Sequence, residues 1–280
     1  MKKTIRIIIY VIIALFAVIG FTFSAIYVGM HFDIFSVRGA ISTRNDFFSA
    51  TSQKPNEAST PCNEDTVTVC PWNQTQEWAT IKGGIQKDIE LIHKVAAEVN
   101  VDPRMIAATV IPEQTRFFTS NRDIFKSYFE PLKILGSLTK FSLGISGMKI
   151  ETAQAIESHI KNPNSLYYLG ESTYSLIQYP ENVAHGQELY RRLTDDKNRY
   201  YQYLYTALYI KQIQTQWAAA GYYIERKPEI IVTLFNLGFS KSRPNPNPKA
   251  GGAIITTGGI QYTYGELGSL FYYSNELPEL

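Results

Sequence analysis

Met105-Ile106-Ala107-Ala108-Thr109-Val110-Ile111-Pro112-Glu113 is an apolar, helix-like run that closes on one carboxylate, and Gln114-Thr115-Arg116-Phe117-Phe118 follows at once. A lone acid at the rim of an apolar element is one way a protein raises a carboxyl pKa far enough to donate a proton near neutrality. The competing reading is a solvated glutamate at a helix end, the commoner fate of this residue type. Pro112 lacks a donor and crowds the preceding turn, so the helix is expected to end or kink there, leaving Glu113 at a terminus. Immediately upstream, Asn100-Val101-Asp102-Pro103 reads as a stop and a restart: Asp102 caps the new helix and Pro103 takes its first position.

Outward from this run, apolar residues at Ile85, Ile89, Ile92, Val95, Ala96 and Val99 recur at intervals of three and four, predicting one helix over Ile81–Val99 with a single buried face. On the C-terminal side, one or two short helices are expected within Arg122–Leu138, and another over Glu151–Ile160 after the turn Gly144-Ile145-Ser146-Gly147. The segment Asn162–Glu181 reads as loop or short helix. A long helix is predicted from Tyr190 to Ala219, interrupted at Thr194-Asp195-Asp196 and recapped by Asp195 or Asp196. Pro228–Leu237 starts on a proline and stops before Gly238. Arg243-Pro244-Asn245-Pro246-Asn247-Pro248 excludes regular helix, and Ile254–Tyr264 reads as a hairpin around Gly258-Gly259. The fold class is therefore mainly α with a small C-terminal β-hairpin or loop region.

The N-terminus carries a different signal. Lys2, Lys3 and Arg6 precede a stretch from Ile7 to Met30 without a charged residue, matching the ~20 apolar residues that cross a bilayer. The expected organisation is a cytoplasmic end at 1–6, a transmembrane anchor at 7–30, an extracytoplasmic stalk at 31–71 and a folded domain at 72–280. A cleaved signal peptide is the alternative, with Thr22-Phe23-Ser24-Ala25 as its processing site, but the apolar run is long for one. The stalk is polar and carries Pro55 and Pro61. Cys62 and Cys70, the two cysteines of the chain, lie on the outer side, where a local disulfide is expected. None of the four histidines has metal-site spacing relative to them, so no metal and no cofactor are expected.

With 280 residues, 45% hydrophobic and 19% charged, the composition is that of a globular protein, and a net charge of +2 leaves no footprint for nucleic acid. The 19 tyrosines suit stacking on sugars and equally suit a core.

Taken in order, these pieces resemble the lysozyme-like lytic transglycosylases and goose-type lysozymes. Val101-Asp102-Pro103, Ala108-Thr109-Val110-Ile111, Glu113 and Phe117 follow that family's order around its catalytic glutamate. Ser142-Leu143-Gly144-Ile145-Ser146-Gly147-Met148-Lys149-Ile150-Glu151-Thr152-Ala153 is similar to its glycine turn leading into a Thr-Ala helix start, and Leu234-Phe235-Asn236-Leu237-Gly238 to its A-Y-N-x-G element. The resemblance implies a lysozyme-like helical domain outside the cytoplasmic membrane, acting on peptidoglycan glycan strands without a cofactor. It implies Glu113 as the catalytic acid, and Phe117, Gly147, Met148, Asn236 and Gly238 as substrate-binding residues. Cell-envelope protein partners are left unidentified.

The chain departs from the pattern at three places: Gln114 stands for the usual Ser, Gly147 or Lys149 for a Gln, and Phe235 for the Tyr that positions the acid. Asp123, Glu130 and Glu151 are the candidate second acids, each also readable as a solvated charge or cap, and Arg116 reads either as the partner of a carboxylate or as a surface charge. A single-carboxylate lyase is thus preferred to a hydrolytic muramidase. The other readings are a non-catalytic wall-binding or assembly scaffold with the same fold, and an unrelated helical receptor or secretion component.

Overall fold

The computed structural model describes residues 70–119, 142–195 and 197–280, together with Tyr10, Gly20 and Phe21. The chain divides into two units, Met1–Arg38 and Gly39–Leu280. Of the first, the three described residues are helical. The expected anchor at 7–30 otherwise lies outside the described residues, as do most of the stalk and the short helices expected within 122–138. No helix among the described residues is long and apolar enough to cross a membrane.

Among the described residues the second unit is mainly helical, with two small antiparallel hairpins. Its centre is the helix that carries the apolar run, because that helix is apolar on nearly every side: Met105 to Ala108 and Val110 to Ile111 are all buried. Among the described residues it follows α1 (Gln76–Lys87) and α2 (Ile89–Val99), and α3 itself spans Pro103–Thr119. Asp102 caps it as expected, its carboxylate accepting from the Arg104 N–H at 2.9 Å. The hairpin β1 (Ser142–Leu143) and β2 (Met148–Lys149) leads into α4 (Ile150–Lys161), followed by α5 (Glu171–Tyr174), α6 (His185–Thr194), α7 (Tyr200–Ala219) and α8 (Pro228–Leu237). A second hairpin, β3 (Ile254–Thr257) and β4 (Ile260–Thr263), turns at Gly258-Gly259 and feeds α9 (Tyr264–Tyr272). Helix α3 packs against α1, α2, α7, α8, α9 and β3, and α9 wedges between α3 and α8.

Four sequence expectations are corrected. Pro112 does not end its helix: α3 continues through it to Thr119, so Glu113 sits inside the helix. The carbonyl that proline deprives of its donor, Ala108 O, is covered by α9, which approaches so closely at Gly268 that an added Cβ would lie 2.6 Å from that oxygen. One turn along, the Tyr264 hydroxyl donates to Thr109 O at 3.2 Å. Tertiary packing thus takes over where the backbone ladder is interrupted.

The predicted helix over 81–99 is two helices, broken at Asp88, whose carboxylate accepts from Arg199 Nη1 and the Tyr203 hydroxyl, both at 2.8 Å. Asp195 does not cap the helix after the interruption. It accepts from the N–H groups of Lys197 and Asn198, and α7 begins at Tyr200. Finally, Tyr264 belongs to a helix, not to the hairpin. Thr263 and Glu266 form a capping box, each side chain satisfying the other's backbone N–H.

Cys70 is disulfide-bonded, and its expected partner Cys62 lies outside the described residues. Its backbone N–H donates to Gly258 O at 2.6 Å, which ties the start of the domain to the hairpin turn. Helix α6 is fastened by charge: Glu188 accepts from Arg191 Nε at 2.7 Å and from Arg192 Nε at 3.2 Å. The hydrogen bond from Arg191, against the opposing effect of burial, holds the Glu188 carboxyl below its ordinary range. Since the folded value is the depressed one, this stability is fully present above the unfolded value of about 4.3 and is lost as pH falls through the folded value. The stability difference between the unmodified protein and Glu188→Gln, followed by urea unfolding, is therefore expected to shrink below about pH 5. A difference constant with pH would refute this.

Candidate functional site

Glu113 is only 5% exposed, an unusual position for a glutamate inside an apolar helix. Its helix turns the carboxylate towards the β1–β2 turn, where Gly147 lies flat against it. An added Cβ on Gly147 would overlap the Glu113 carboxylate, and the residue's φ of +59° is itself a conformation that side chains avoid. Both the approach and the backbone conformation require glycine there.

The turn is held in place through the Ile145 peptide. Gln114 Nε2 donates to Ile145 O at 2.6 Å, and the Ile145 N–H donates to Gln202 Oε1 at 2.8 Å. Gln202 also donates to Asp195 O at 2.9 Å, so α7 supports the same loop. Gln114 therefore does structural work: it reaches forward from the residue next to the acid and clamps the loop that covers it. Gly147→Ala is expected to push the carboxylate aside and lower any activity of Glu113 by about 100-fold, the scale of a 1 Å misplacement. Its unfolding would change far less, and unchanged activity in the variant would contradict the arrangement.

Of its two readings, Arg116 takes the pairing with a carboxylate, as a polar neighbour of Glu113. Its Nη2 lies 2.7 Å from both carboxylate oxygens. Burial alone would lower the guanidinium pKa, but the charge and hydrogen bond of Glu113 raise it overall, with a smaller contribution from Tyr264. Tyr264, 1% exposed, thus stands close to the pair while its hydroxyl binds Thr109 O on the same helix.

Tyr264 also links the helix of Glu113 to the third sequence element. Gly252 packs between Tyr264 and Asn236: an added Cβ there would lie 2.8 Å from Tyr264 Cβ and 3.0 Å from Asn236 Oδ1. The Asn236 carbonyl oxygen accepts from the Ala253 N–H at 2.9 Å, so one end of its amide is spent on the chain leading into β3. Gly238, at φ +92°, closes α8, its N–H bound to Leu234 O at 3.0 Å. Phe235 packs on Tyr209, ring centres 5.0 Å apart.

Of the other expected site residues, Phe117 lies one turn beyond Glu113 and is partly exposed. Met148 is 3% exposed and belongs to the core, so it does not line an open wall. Glu151 is exposed in the first turn of α4, while Asp123 and Glu130 lie outside the described residues. No group of His, Cys, Asp and Glu fit to hold a metal occurs among the described residues.

A second polar centre escaped the sequence reading. Glu157, 2% exposed on the inner face of α4, accepts from the hydroxyls of Tyr179 and Tyr205 and meets His185 Nε2 at 2.8 Å. Burial first, then the Glu157 carboxylate, push both tyrosine hydroxyls well above their ordinary pKa. Next to it, Arg192 stacks between the rings of Tyr179 and Tyr201, 4.1 Å from each centre. This knot fastens the segment before α6 to α4 and α7. The available signal was a charge on the buried stripe Ala153, Ile156, Ile160, where a glutamate needs partners.

No family model matches the chain, and none of the curated proteins or solved structures does.

Proposed function

We propose that the chain is a membrane-anchored peptidoglycan lytic transglycosylase with a lysozyme-like domain, cleaving the β-1,4 bond between N-acetylmuramic acid and N-acetylglucosamine. The observation that carries this reading is one buried carboxylate covered by a glycine turn distant from it in sequence. Glu113 lies under the Gly144–Gly147 turn, and the Asn236 element is linked to the helix of Glu113, at Thr109, through Gly252 and Tyr264. The N-terminal apolar segment and the expected Cys62–Cys70 pairing support an outer-side location for the domain.

In this reading Glu113 gives its proton to the glycosidic oxygen while the substrate's 2-acetamido group stabilises the developing positive charge. The same carboxylate then takes the proton of the muramic C6 hydroxyl, and that oxygen closes a 1,6-anhydro ring. One carboxylate suffices, and the exposed position of Glu151 suits it poorly as a second acid. Phe235 cannot supply a hydroxyl to position the acid. Gly147 and Arg116 hold the carboxylate in its place, and Tyr264 stands beside the pair.

The Arg116–Glu113 ion pair also favours a second reading, a wall-binding scaffold with the same fold, because a guanidinium already engages both carboxylate oxygens that the chemistry would use. Digestion of purified sacculi by the full-length protein separates the readings. Products with 1,6-anhydro ends mark the lyase and reducing ends a muramidase, whereas binding without released products marks the scaffold.

A further inference from the structure

We infer that the open cavity between α4 and the start of α6 is a saccharide-binding site, separate from the surroundings of Glu113. The cavity, about 390 Å³, is lined by Gln154, Glu157, Ser158, Lys161, Asn162 and His185, and it falls in the range of small-ligand sites, about 300–1,000 Å³. Ser158 stands about 12 Å along α4 from its start, and neither Glu113 nor Arg116 nor Gly147 lines the cavity. The inference holds whether the chain cleaves glycan strands or only binds them, so it does not rest on Glu113 as the acid.

One wall is fixed before any ligand arrives, which lowers the cost of binding. Glu157 accepts from the hydroxyls of Tyr179 and Tyr205, which burial and the carboxylate itself keep protonated. His185 Nε2 lies 2.8 Å from Glu157 Oε2, and the Tyr179 ring packs on the imidazole with centres 4.3 Å apart. His185 is thus held by edge and by face although its side chain is 48% exposed. A carboxylate only accepts, so Nε2 carries the hydrogen and Nδ1 is left for a ligand. Lys161 Nζ, 3.8 Å from Glu157 Oε2, keeps further donors. Asn162 spends its oxygen on the Asn164 N–H at 3.0 Å, which leaves its amide nitrogen. Gln154 and Ser158 are exposed, and their side chains make no hydrogen bond among the described residues.

This set of groups decides the class of ligand. An anion could use only the donors and would meet the charge of Glu157 beneath them, whereas a cation would meet Lys161. Sugar hydroxyl and acetamido groups both give and accept hydrogen bonds. They match a wall that offers an amide, a hydroxyl, an imidazole acceptor and an ammonium together. Tyr174, 41% exposed, stands beside Lys161, whose Nζ is 5.9 Å from the ring centre. Its ring is an amphipathic surface of the kind that covers the C–H face of a sugar.

The test is calorimetric titration of the full-length protein, carrying Glu113→Gln so that no probe is consumed, with the neutral hexamer of N-acetylglucosamine and separately with inorganic phosphate. Gln154→Ala, Lys161→Ala and Ser158→Trp are each added to that protein, the last to fill the cavity from the exposed face of α4, and urea unfolding checks that each variant folds. One component of hexamer binding is expected to weaken about fivefold or more in Gln154→Ala, the scale of one lost hydrogen bond. The same component should vanish in Ser158→Trp. Hexamer binding that is identical in all variants lies elsewhere and overturns the assignment, as does no hexamer binding at all. Phosphate binding that is lost in Lys161→Ala marks an anion site and overturns the saccharide class. The products released from sacculi by the unmodified protein are read separately. Their absence with this component intact removes the lyase alone, and their presence without it removes this site alone.

Discussion

Glu113→Gln is expected to lower muropeptide release from sacculi by about 10²–10⁴-fold, the range for loss of a general acid. The amide has nearly the shape of the carboxyl and fits under Gly147, so the β1–β2 turn has no steric reason to move. It can neither give a proton to the glycosidic oxygen nor take one from the C6 hydroxyl, and both steps of the proposed reaction fail together. The variant leaves Arg116 facing a neutral amide in a partly buried place, which costs about 1–3 kcal/mol of stability on the scale of bonds to charged groups. Urea unfolding of the variant is therefore measured beside its activity. A folded variant that kept a tenth or more of the activity would remove Glu113 from the chemistry.

Arg104→Ala is expected to have the largest effect on stability. Arg104 leaves the first turn of α3 and donates to the carbonyls of Phe271, Tyr272, Ser274, Glu276 and Leu277, at distances from 2.6 to 3.0 Å. Its guanidinium also lies 4.6 Å from the centre of the Phe271 ring. The last carbonyls of a helix have no partners within it, and here one side chain from another helix supplies them. Alanine would leave these oxygens and the chain end Ser274–Leu280 without their common donor, a loss of roughly 3–5 kcal/mol given that such bonds are not additive. Lysine would keep the charge but not the fork, and should recover only part of it. Because α9 presents Tyr264 and Gly268 to α3, the loosening should reach the site as well as the chain end. A change below about 1 kcal/mol in urea unfolding would contradict this account of the cap.

Much of the helical order is legible in the sequence because it depends on local signals. Asp102-Pro103, the Pro228 start and the Gly258-Gly259 turn are read from residue chemistry that acts within a few positions. The misreadings have a common cause, which is that distant residues decide the outcome. Pro112 breaks an isolated helix, but in this chain α9 closes over the freed carbonyl at Gly268. Asp88 splits a periodic stretch because Arg199 and Tyr203, far along the chain, use its carboxylate.

The site shows the same division. The acid and the glycine turn announce themselves, since a carboxylate on an apolar run and closely spaced glycines are uncommon locally. The clamp by Gln202 and the approach of Tyr264 do not, because nothing near those residues distinguishes them from others of their type. Arg116 is the intermediate case: its spacing of three from Glu113 suits a helical ion pair, and only the burial of the glutamate shows that the pair is more than a surface contact. Helix α9 was readable and overlooked, for Thr263 and Glu266 have the spacing of a capping box.

In the proposed reaction Glu113 cuts glycan strands and closes the anhydro ring with no second carboxylate. The most direct measurement is mass spectrometry of the soluble products released from purified sacculi by the unmodified full-length protein. Muropeptides ending in 1,6-anhydro-N-acetylmuramic acid are expected. Reducing ends alone would contradict the single-carboxylate chemistry, and no released muropeptides would contradict the enzyme itself.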